Sequence, residues 1–256
     1  MDGAFPEERR RPGIGAKPSV GPTDSARAKA WLDAERANLV AATSQAAEDG
    51  WPRHACDLAQ TLWLYLMTAP HYTEAMSTNR HALEAARGLG DRAAEGDALT
   101  NIGSVYWRTG RLDEAMRYLD RALAIRREVG DRAGEGWTLN NLASVYWSCG
   151  RYELFSLHCR RALDIFRAAG DRVGEYTALN NLSMVYWRWH RYAEALDPAQ
   201  EALAVTRKMS YGHGEANALN TLSLVYLGWG RFTETLEYTE QALALACEVG
   251  DRYSEG

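Results

Sequence analysis

The sequence lacks several features that would point to a membrane or a secreted protein. No run of apolar residues approaches the length of about 20 residues that a membrane-spanning helix needs. Near the start, Glu7 and Glu8 precede three arginines, and no apolar core of the kind found in signal peptides follows. We therefore expect a cytoplasmic protein that does not bind a membrane.

Motifs for catalysis, metal binding and nucleotide binding are also missing. The 6 histidines show no HExxH spacing, and no GxxxxGK[S/T] loop occurs. The 4 cysteines form no CxxC pair, so packed, reduced thiols are expected, although a metal site of Cys149, His158 and Cys159 is the alternative. A net charge of −5 argues against a nucleic-acid surface. The sequence thus predicts no enzyme, no cofactor, no metal and no direct contact with nucleic acid.

What the sequence does contain is a repeat with a period of 40 residues. A segment of ten residues recurs four times, and we call each such recurring segment a word. It reads ALTNIGSVYW from Ala98, TLNNLASVYW from Thr138, ALNNLSMVYW from Ala178 and ALNTLSLVYL from Ala218. A second word follows each at a constant offset, as in GRLDEAMRYLDRALAI from Gly110. Each two-word unit is predicted to be a hairpin of two helices, which must stack on its neighbours to bury its apolar side.

The repeat sets the predicted domain organisation. Residues 1–22 are rich in proline and glycine and are expected to form a disordered tail, and residues 23–50 are expected to form an N-terminal helix. The array is predicted over residues 51–256, with hairpins at about 51–89, 90–129, 130–169, 170–209 and 210–250. At the seams, as in GDRAAEG from Gly90, glycine suits the end of one helix and aspartate the cap of the next. Pro198 lies inside a predicted helix, which should start late or kink near Glu194.

The first helix of each hairpin is predicted to have two different sides. At 100° per residue, one side is apolar and the other polar. The apolar side carries Leu99, Ile102, Gly103 and Tyr106, and the polar side carries Asp97, Thr100, Asn101, Ser104, Trp107 and Arg108. A column of small residues, Gly103, Ala143, Ser183 and Ser223, would let the paired helix approach closely.

These columns resemble the tetratricopeptide repeat. The small residue, the aromatic residue three positions later and the two alanines of the second helix match at Gly103, Tyr106, Ala115 and Ala122. The period exceeds the family's usual 34 residues and looks like the extended subtype of kinesin light chains. The resemblance implies an all-α fold, an α-α superhelix of antiparallel helix hairpins. It also implies a concave groove lined by first helices, whose asparagines hold the backbone of an extended peptide.

A second resemblance concerns the segment WLDAERANLVAA from Trp31 and the arginine-rich repeats after it. It is similar to the C-terminal sensor region of bacterial NB-ARC or STAND regulators of the SARP type. This similarity implies the sensor or interaction arm of a bacterial signalling or transcriptional regulator. Because the nucleotide-binding loop is absent from this sequence, neither nucleotide hydrolysis nor DNA binding is carried over. Whether the chain is a fragment of such a regulator or free-standing stays open.

The candidate binding residues lie on the polar side of the first helices. Amides donate and accept hydrogen bonds, which suits a peptide backbone, although bonds between neighbouring helices are the alternative. Indoles would tile the groove floor, or else pack between repeats, and arginines flank them. The predicted site consists of Asn101, Asn140, Asn141, Asn180, Asn181, Asn220, Trp107, Trp147, Trp187, Arg108 and Arg188.

Three functions are compatible with this pattern. The first is a protein- or peptide-binding scaffold, which an open groove of asparagines favours. The second is a receptor for a small ligand or signalling peptide, which an enclosed aromatic pocket would favour. The third is a structural self-assembly module, for which the uncapped C-terminal hairpin would supply the contact.

Overall fold

Helix accounts for almost all of the chain that the structure describes. The computed structural model describes residues 25–249, which form eleven α-helices and no strand, so the all-α prediction is confirmed. The predicted tail, residues 1–22, lies outside the described residues. The helices are α1 (Ser25–Glu48), α2 (Pro52–Thr68), α3 (Tyr72–Leu89), α4 (Arg92–Arg108), α5 (Leu112–Val129), α6 (Arg132–Ser148), α7 (Tyr152–Ala169), α8 (Arg172–Arg188), α9 (Tyr192–Lys208), α10 (Gly212–Gly228) and α11 (Phe232–Val249).

The chain divides into two units, residues 1–39 and 40–256, and the second contains the helical array. Its helices α2 to α11 form five hairpins. The first helices are α2, α4, α6, α8 and α10, and the second helices are α3, α5, α7, α9 and α11. Each second helix contacts the first helix of the following hairpin, and successive first helices contact each other. The array is therefore a solenoid of stacked helix hairpins, as the 40-residue period predicts.

The seams between hairpins are built as the repeated GDR words predict. Gly130 ends α5 in the left-handed conformation, with φ 72°. The Oδ1 atom of Asp131 then accepts a hydrogen bond from the backbone N–H of Gly134 at 2.9 Å, which caps α6. Two non-glycine residues also take the left-handed conformation. His190, with φ 58°, lies in the turn between α8 and α9, and Ser210, with φ 53°, lies at the seam between α9 and α10. The corner geometry is thus kept where glycine is replaced.

A buried glutamate joins the two helices at three of these seams. Glu95 accepts hydrogen bonds from Arg87 at 2.8 Å and from Arg92 at 2.5 Å. The same arrangement recurs at Glu135 and Glu175, which are equally buried. Since a buried carboxylate is costly unless it is paired, the two arginines make the glutamate a stabilising link between successive hairpins.

The structure adds two points about the helices. Of the two alternatives for the helix that contains Pro198, a late start is excluded, because α9 begins at Tyr192, forty residues after α7 begins at Tyr152. The polar side of α4 is largely covered, since Thr100, Asn101 and Ser104 are all buried. The physical reason is that each central first helix packs against its own second helix and against the first helices on both sides.

The close-approach column behaves as predicted. A Cβ added at Gly103 would lie 2.7 Å from Cγ of Leu119, which is too close, so a larger residue would push the paired helix away. The core runs continuously through these contacts and includes Leu99, Leu119, Leu142, Ala162 and Leu179. Phe155, which stands forty residues after Ala115, is buried in the same core.

Candidate functional site

The first helices α2, α4 and α6 enclose a groove of about 600 Å³. Three indoles line it, those of Trp63, Trp107 and Trp137, together with the amides of Asn101 and Asn141. Four charged residues complete the lining, and they are Asp97, Arg108, Arg126 and Asp131. We refer to this space as the first-helix groove.

Arg126 reaches the first-helix groove from a second helix. It lies on α5, and only 6% of its surface is exposed. Its guanidinium donates from Nη2 to Oδ1 of Asp97 and from Nη1 to Oδ2 of Asp131, each at 2.5 Å. Its Nε atom is buried without a hydrogen-bond partner. The groove thus has a buried cation behind it that fixes two carboxylates.

In the next repeat, aromatic side chains occupy the positions that the ion pair occupies here. Phe166 stands forty residues after Arg126, and Trp137 stands forty residues after Asp97. The two rings pack together with their centroids 5.1 Å apart, and the Nε1 atom of Trp137 donates to Oδ2 of Asp171 at 2.9 Å. An ion pair in one repeat is therefore replaced by an aromatic pair in the following one.

In both repeats, glycines leave room for a large side chain, that of Arg126 in one and that of Phe166 in the other. A Cβ at Gly134 would lie 2.6 Å from Nε of Arg126, and one at Gly136 would lie 2.7 Å from Cε1 of Phe166. Gly96 and Gly174 make the corresponding contacts on the other side of each large residue. Arg126 and Phe166 therefore occupy equivalent slots between two first helices.

Most of the predicted asparagines bond between neighbouring helices. Asn101 donates to Asn79 at 2.9 Å, Asn141 donates to Ser104 at 3.3 Å and Asn181 donates to Asn140 at 2.8 Å. The Oδ1 atom of Asn180 accepts from Thr221 at 2.6 Å. Asn220 is exposed. The cross-helix alternative thus describes these side chains, and their role toward a ligand stays a prediction.

The predicted tryptophans are half-buried between repeats. Trp107 donates from Nε1 to Ser148 at 2.9 Å. Trp147 packs edge-on against Tyr152 and also contacts Phe155, at centroid distances of 5.1 and 5.0 Å. Trp107 and Trp147 together line a second pocket of about 250 Å³ with Asn181 and Met184. A Cβ at Gly228 would lie 2.9 Å from Nε1 of Trp187, so this third indole lies against the following first helix.

The predicted arginines are exposed at the ends of their helices. The guanidinium of Arg108 lies 5.6 Å from the ring centroid of Trp107. Arg188 donates from Nε to the hydroxyl of Tyr152 at 3.3 Å. Arg108 belongs to the first-helix groove, whereas Arg188 lies on α8, outside that groove's lining.

The predicted site omits most residues of the groove, including the carboxylates Asp97 and Asp131, and three of the omissions are large side chains. Trp63 lies in the divergent first hairpin, and Trp137 and Arg126 lie at positions that other repeats fill differently. A signal for Arg126 was present, because the column at every fortieth residue reads Ala86, Arg126, Phe166, Thr206 and Ala246. One charged member in a column of otherwise uncharged residues indicates a local feature of that repeat.

Other kinds of site find little support in residues 25–249. No group of three or more His, Cys, Asp or Glu side chains is close enough there to hold a metal ion. In the same range, no helix has both the length and the apolar character that crossing a membrane requires. Burial raises the pKa of the Cys159 thiol, which lies in the core and is therefore a poor nucleophile.

The fold and the repeated columns define a helical repeat scaffold. A family model for the tetratricopeptide repeat matches residues 71–128, 95–154 and 134–208. These matches run from residue 71 to residue 208, more than half of the 256 residues. The chain therefore belongs to the tetratricopeptide repeat family. A comparison with curated proteins finds no match.

Solved structures share the fold at low sequence identity. BtubC from P. vanneervenii is 20% identical with a TM-score of 0.70, and the match covers 84% of this chain and 92% of that one. A Rap protein complexed with Competence and Sporulation Factor is 17% identical with a TM-score of 0.70, covering 78% and 56%. A signal transduction ATPase with numerous domains (STAND) that has a tetratricopeptide repeat sensor, from Pyrococcus horikoshii, is 16% identical with a TM-score of 0.64, covering 89% and 39%. The chain thus spans only part of the length of the last two proteins.

Proposed function

We propose that the chain binds a peptide or protein segment in the first-helix groove and serves as the sensor or interaction arm of a bacterial signalling or transcriptional regulator in the cytoplasm. The observation that carries this proposal is the groove itself. Its volume of about 600 Å³ falls within the range of about 300 to 1,000 Å³ that is usual for ligand sites. Indoles and amides line it, which is the combination of apolar surface and polar groups that such sites use.

The asparagine amides on successive first helices, such as those of Asn141 and Asn181, form a row that we call the amide ladder. This row supports binding of an extended backbone. An asparagine amide can make about four hydrogen bonds, so one bond to a neighbouring helix leaves others for a ligand. Asn141 and Asn181 are only half-buried, and each is held in place by the bond to the preceding first helix. Side chains whose rotamers are already fixed lose little entropy on binding. We therefore assign the ladder a supporting role in presenting amides to the ligand.

The similar structures agree with this proposal by what they are named for. One is a Rap protein in complex with Competence and Sporulation Factor, and another is a STAND protein with a repeat sensor. At 16–17% identity they show the fold alone, so the ligand of this chain has to come from experiment.

The test is selection of peptides by the immobilised protein, followed by affinity measurement on variants. We expect Asn141→Ala to weaken binding by about 1 kcal/mol and Trp107→Ala or Trp63→Ala by about 2 kcal/mol, since all three side chains line the groove. Trp229→Ala is the matched control, because this exposed indole ends α10 outside the groove. Unchanged affinity in all three groove variants would place the ligand on another surface. A large loss of melting temperature in Trp107→Ala without a loss of affinity would make that tryptophan purely structural.

Self-association is a second candidate, and exposed apolar side chains on α11 favour it. Phe232 is 70% exposed and Leu236 is 60% exposed, and Leu243 on the same helix is also exposed. Exposed apolar clusters of this kind mark association sites in soluble proteins. Sedimentation at two protein concentrations separates this candidate from the first, because a peptide-binding scaffold need not change its mass with concentration. The third candidate, a small-ligand receptor, would use the pocket of about 250 Å³ between Trp107 and Trp147.

A further inference from the structure

We infer that the first-helix groove selects a peptide that carries a lysine or arginine side chain, which the carboxylate of Asp97 and the surrounding indoles recognise. The inference rests on the proposed function, since it names the chemical class of the ligand for the same groove. It comes from three features of the structure: how Asp97 is held, which charges face the groove, and which apolar surface lies beside them.

Asp97 lines the groove, and only one of its two carboxylate oxygens accepts a hydrogen bond from the protein. Its Oδ1 atom accepts the hydrogen bond from Arg126, whereas Oδ2 has no hydrogen-bond partner among residues 25–249. Its side chain is 46% exposed, while that of Arg126 is 7% exposed. The buried guanidinium thus fixes a carboxylate whose free edge faces solvent. Such a fixed anion can accept a hydrogen bond from a ligand cation without first paying rotamer entropy.

The charges around Asp97 add up to an excess of negative charge. Asp131 shares the guanidinium of Arg126, so one buried cation faces two carboxylates. A smaller adjoining pocket of about 350 Å³ shares Gln60 and Asp97 with the groove and is lined by further charged residues, Arg53, Asp57 and Asp91. Together the two spaces contain three arginines and four aspartates. This balance has the same sign as the whole chain, whose net charge is −5.

An acidic ligand would find no comparable partner. Both terminal nitrogens of Arg126 are taken by carboxylates, and its Nε is buried against Gly96 and Gly134. Arg108 is the remaining cation of the groove, and its guanidinium already lies near the ring of Trp107. Arg108 is exposed at the C-terminal end of α4, about 16 Å along the helix from Asp97, so the accessible charge at the Asp97 end of the groove is that of Asp97.

The indoles fit the rest of a basic side chain. Lysine and arginine have long apolar stems below their charged heads, and the stems pack well on apolar surface. Indole faces also attract cations, more strongly than the faces of other aromatic side chains. Trp63, Trp107 and Trp137 all line the groove that contains Asp97. Trp137 stands on α6 at the position that Asp97 occupies on α4, so it is the indole on which the stem would pack while its charged head lies at Asp97.

The experiment compares three pools of labelled octapeptides that are blocked at both ends. Seven positions vary over uncharged residues, and one central position is fixed as arginine, as citrulline, which has the same shape without the charge, or as glutamate. We expect the arginine pool to bind the wild-type protein about tenfold more tightly than the citrulline pool, from a cation–indole contact plus a partly exposed ion pair. The glutamate pool should bind no more tightly than the citrulline pool.

Two variants test whether Asp97 causes the preference for the arginine pool. Asp97→Asn removes the charge and keeps the shape, and should lower the ratio of arginine to citrulline binding from about tenfold to about threefold, the part that the cation–indole contact contributes. The double variant Asp97→Trp with Arg126→Phe copies the pair that the next repeat uses, Trp137 and Phe166, so it should fold and also show the lowered ratio. Asp164→Asn, an exposed aspartate of α7 outside the groove, is the control and should keep the tenfold ratio.

The possible outcomes separate this inference from the proposed function. If the pools bind equally well and Trp107→Ala weakens them all, the groove binds peptides but does not select a basic side chain. A preference for the glutamate pool would also overturn the inference. If no pool binds at all, both the inference and the peptide-binding function fail. A ratio that stays at about tenfold in Asp97→Asn would place the basic side chain at another carboxylate and refute the assignment to Asp97.

Discussion

Replacing Arg126 by phenylalanine tests whether the slot between Gly96 and Gly134 is a shape that either a charged or an aromatic residue can fill. Truncation to alanine removes the packed stem and leaves Asp97 and Asp131 unpaired. Breaking a buried ion pair in this way costs about 3 to 5 kcal/mol. Both carboxylates are partly exposed, at 46% and 29% of their side-chain surface, so water can replace part of the lost pairing. We therefore expect Arg126→Ala to destabilise the array by about 3 kcal/mol, the lower end of that range.

Arg126→Phe should cost much less. Phe166 fits an equivalent slot between Gly136 and Gly174, so the ring needs no rearrangement of the backbone. The substitution also removes the buried Nε that lacks a partner, and an unsatisfied polar atom of this kind costs about 1 to 3 kcal/mol. We expect the stability of Arg126→Phe to lie within about 1 kcal/mol of the wild type, since replacing a buried ion pair by apolar groups is often neutral.

The assay is urea unfolding followed by circular dichroism, with hydrogen exchange of α4 to α6 as a local measure. Repeat arrays can unfold in stages, so midpoints and local protection are compared rather than one extrapolated free energy. Phe166→Arg is the reciprocal control. Its guanidinium would meet Trp137 in place of a second carboxylate, and Asp171 already accepts a hydrogen bond from that indole, so we expect a loss of more than about 3 kcal/mol. Equal destabilisation by Arg126→Phe and Arg126→Ala would refute the equivalence of the two slots.

Two further outcomes test the seams and the assignment of helix sides. Burial acts to raise the pKa of Glu95, but hydrogen bonds from Arg87 and Arg92 outweigh it and leave that pKa below its usual range. The stability that this lowered pKa contributes is therefore fully present above the unfolded pKa of about 4.3 and is lost as the pH falls through the folded pKa. Glu95→Gln should flatten this decline in melting temperature on the acid side. An unaltered decline would contradict the role of Glu95 in joining the two helices at the seam. Leu142→Ala, at a position with 1% exposure, should cost about 2 to 5 kcal/mol, whereas Asn141→Ala should cost about 1 kcal/mol; the opposite order in thermal melts would mean that the two sides are assigned backwards.

The fold was predictable because its determinants recur. Three seams place glycine and aspartate at the same two positions, Gly90, Gly130 and Gly170 each followed by aspartate, and the first helices α4, α6, α8 and α10 each present a small residue to the paired helix. One interpretation of the repeat therefore applies to most of the array. Pro198 shows the limit of local rules. A proline inside a helix costs about 3 kcal/mol in isolation, yet α9 begins at the same position of its repeat as α7 does and contains Pro198 in its interior.

The candidate site was only partly predictable. Trp107, Arg108, Asn101 and Asn141 lie in the first-helix groove as the polar columns indicate. The burial of Thr100 and Ser104 was not foreseen, since a helical wheel shows which residues share a side and not whether a neighbouring helix covers that side. Trp63 stands forty residues before Gly103, where the periodicity predicts contact with the paired helix rather than the groove.

The contrast between neighbouring repeats explains how an array of this kind can gain a specific site without a new fold. In one repeat the slot between two first helices contains Arg126, which holds Asp97 and Asp131, and in the next it contains Phe166, which packs against Trp137. Both solutions use the same pair of glycine positions, so the helices keep their spacing whichever pair is present. Since each hairpin contacts only its neighbours, the energetic consequence of such an exchange stays local. The charged slot therefore changes what the groove can recognise at one place, while the rest of the solenoid continues to depend on the columns that all repeats share.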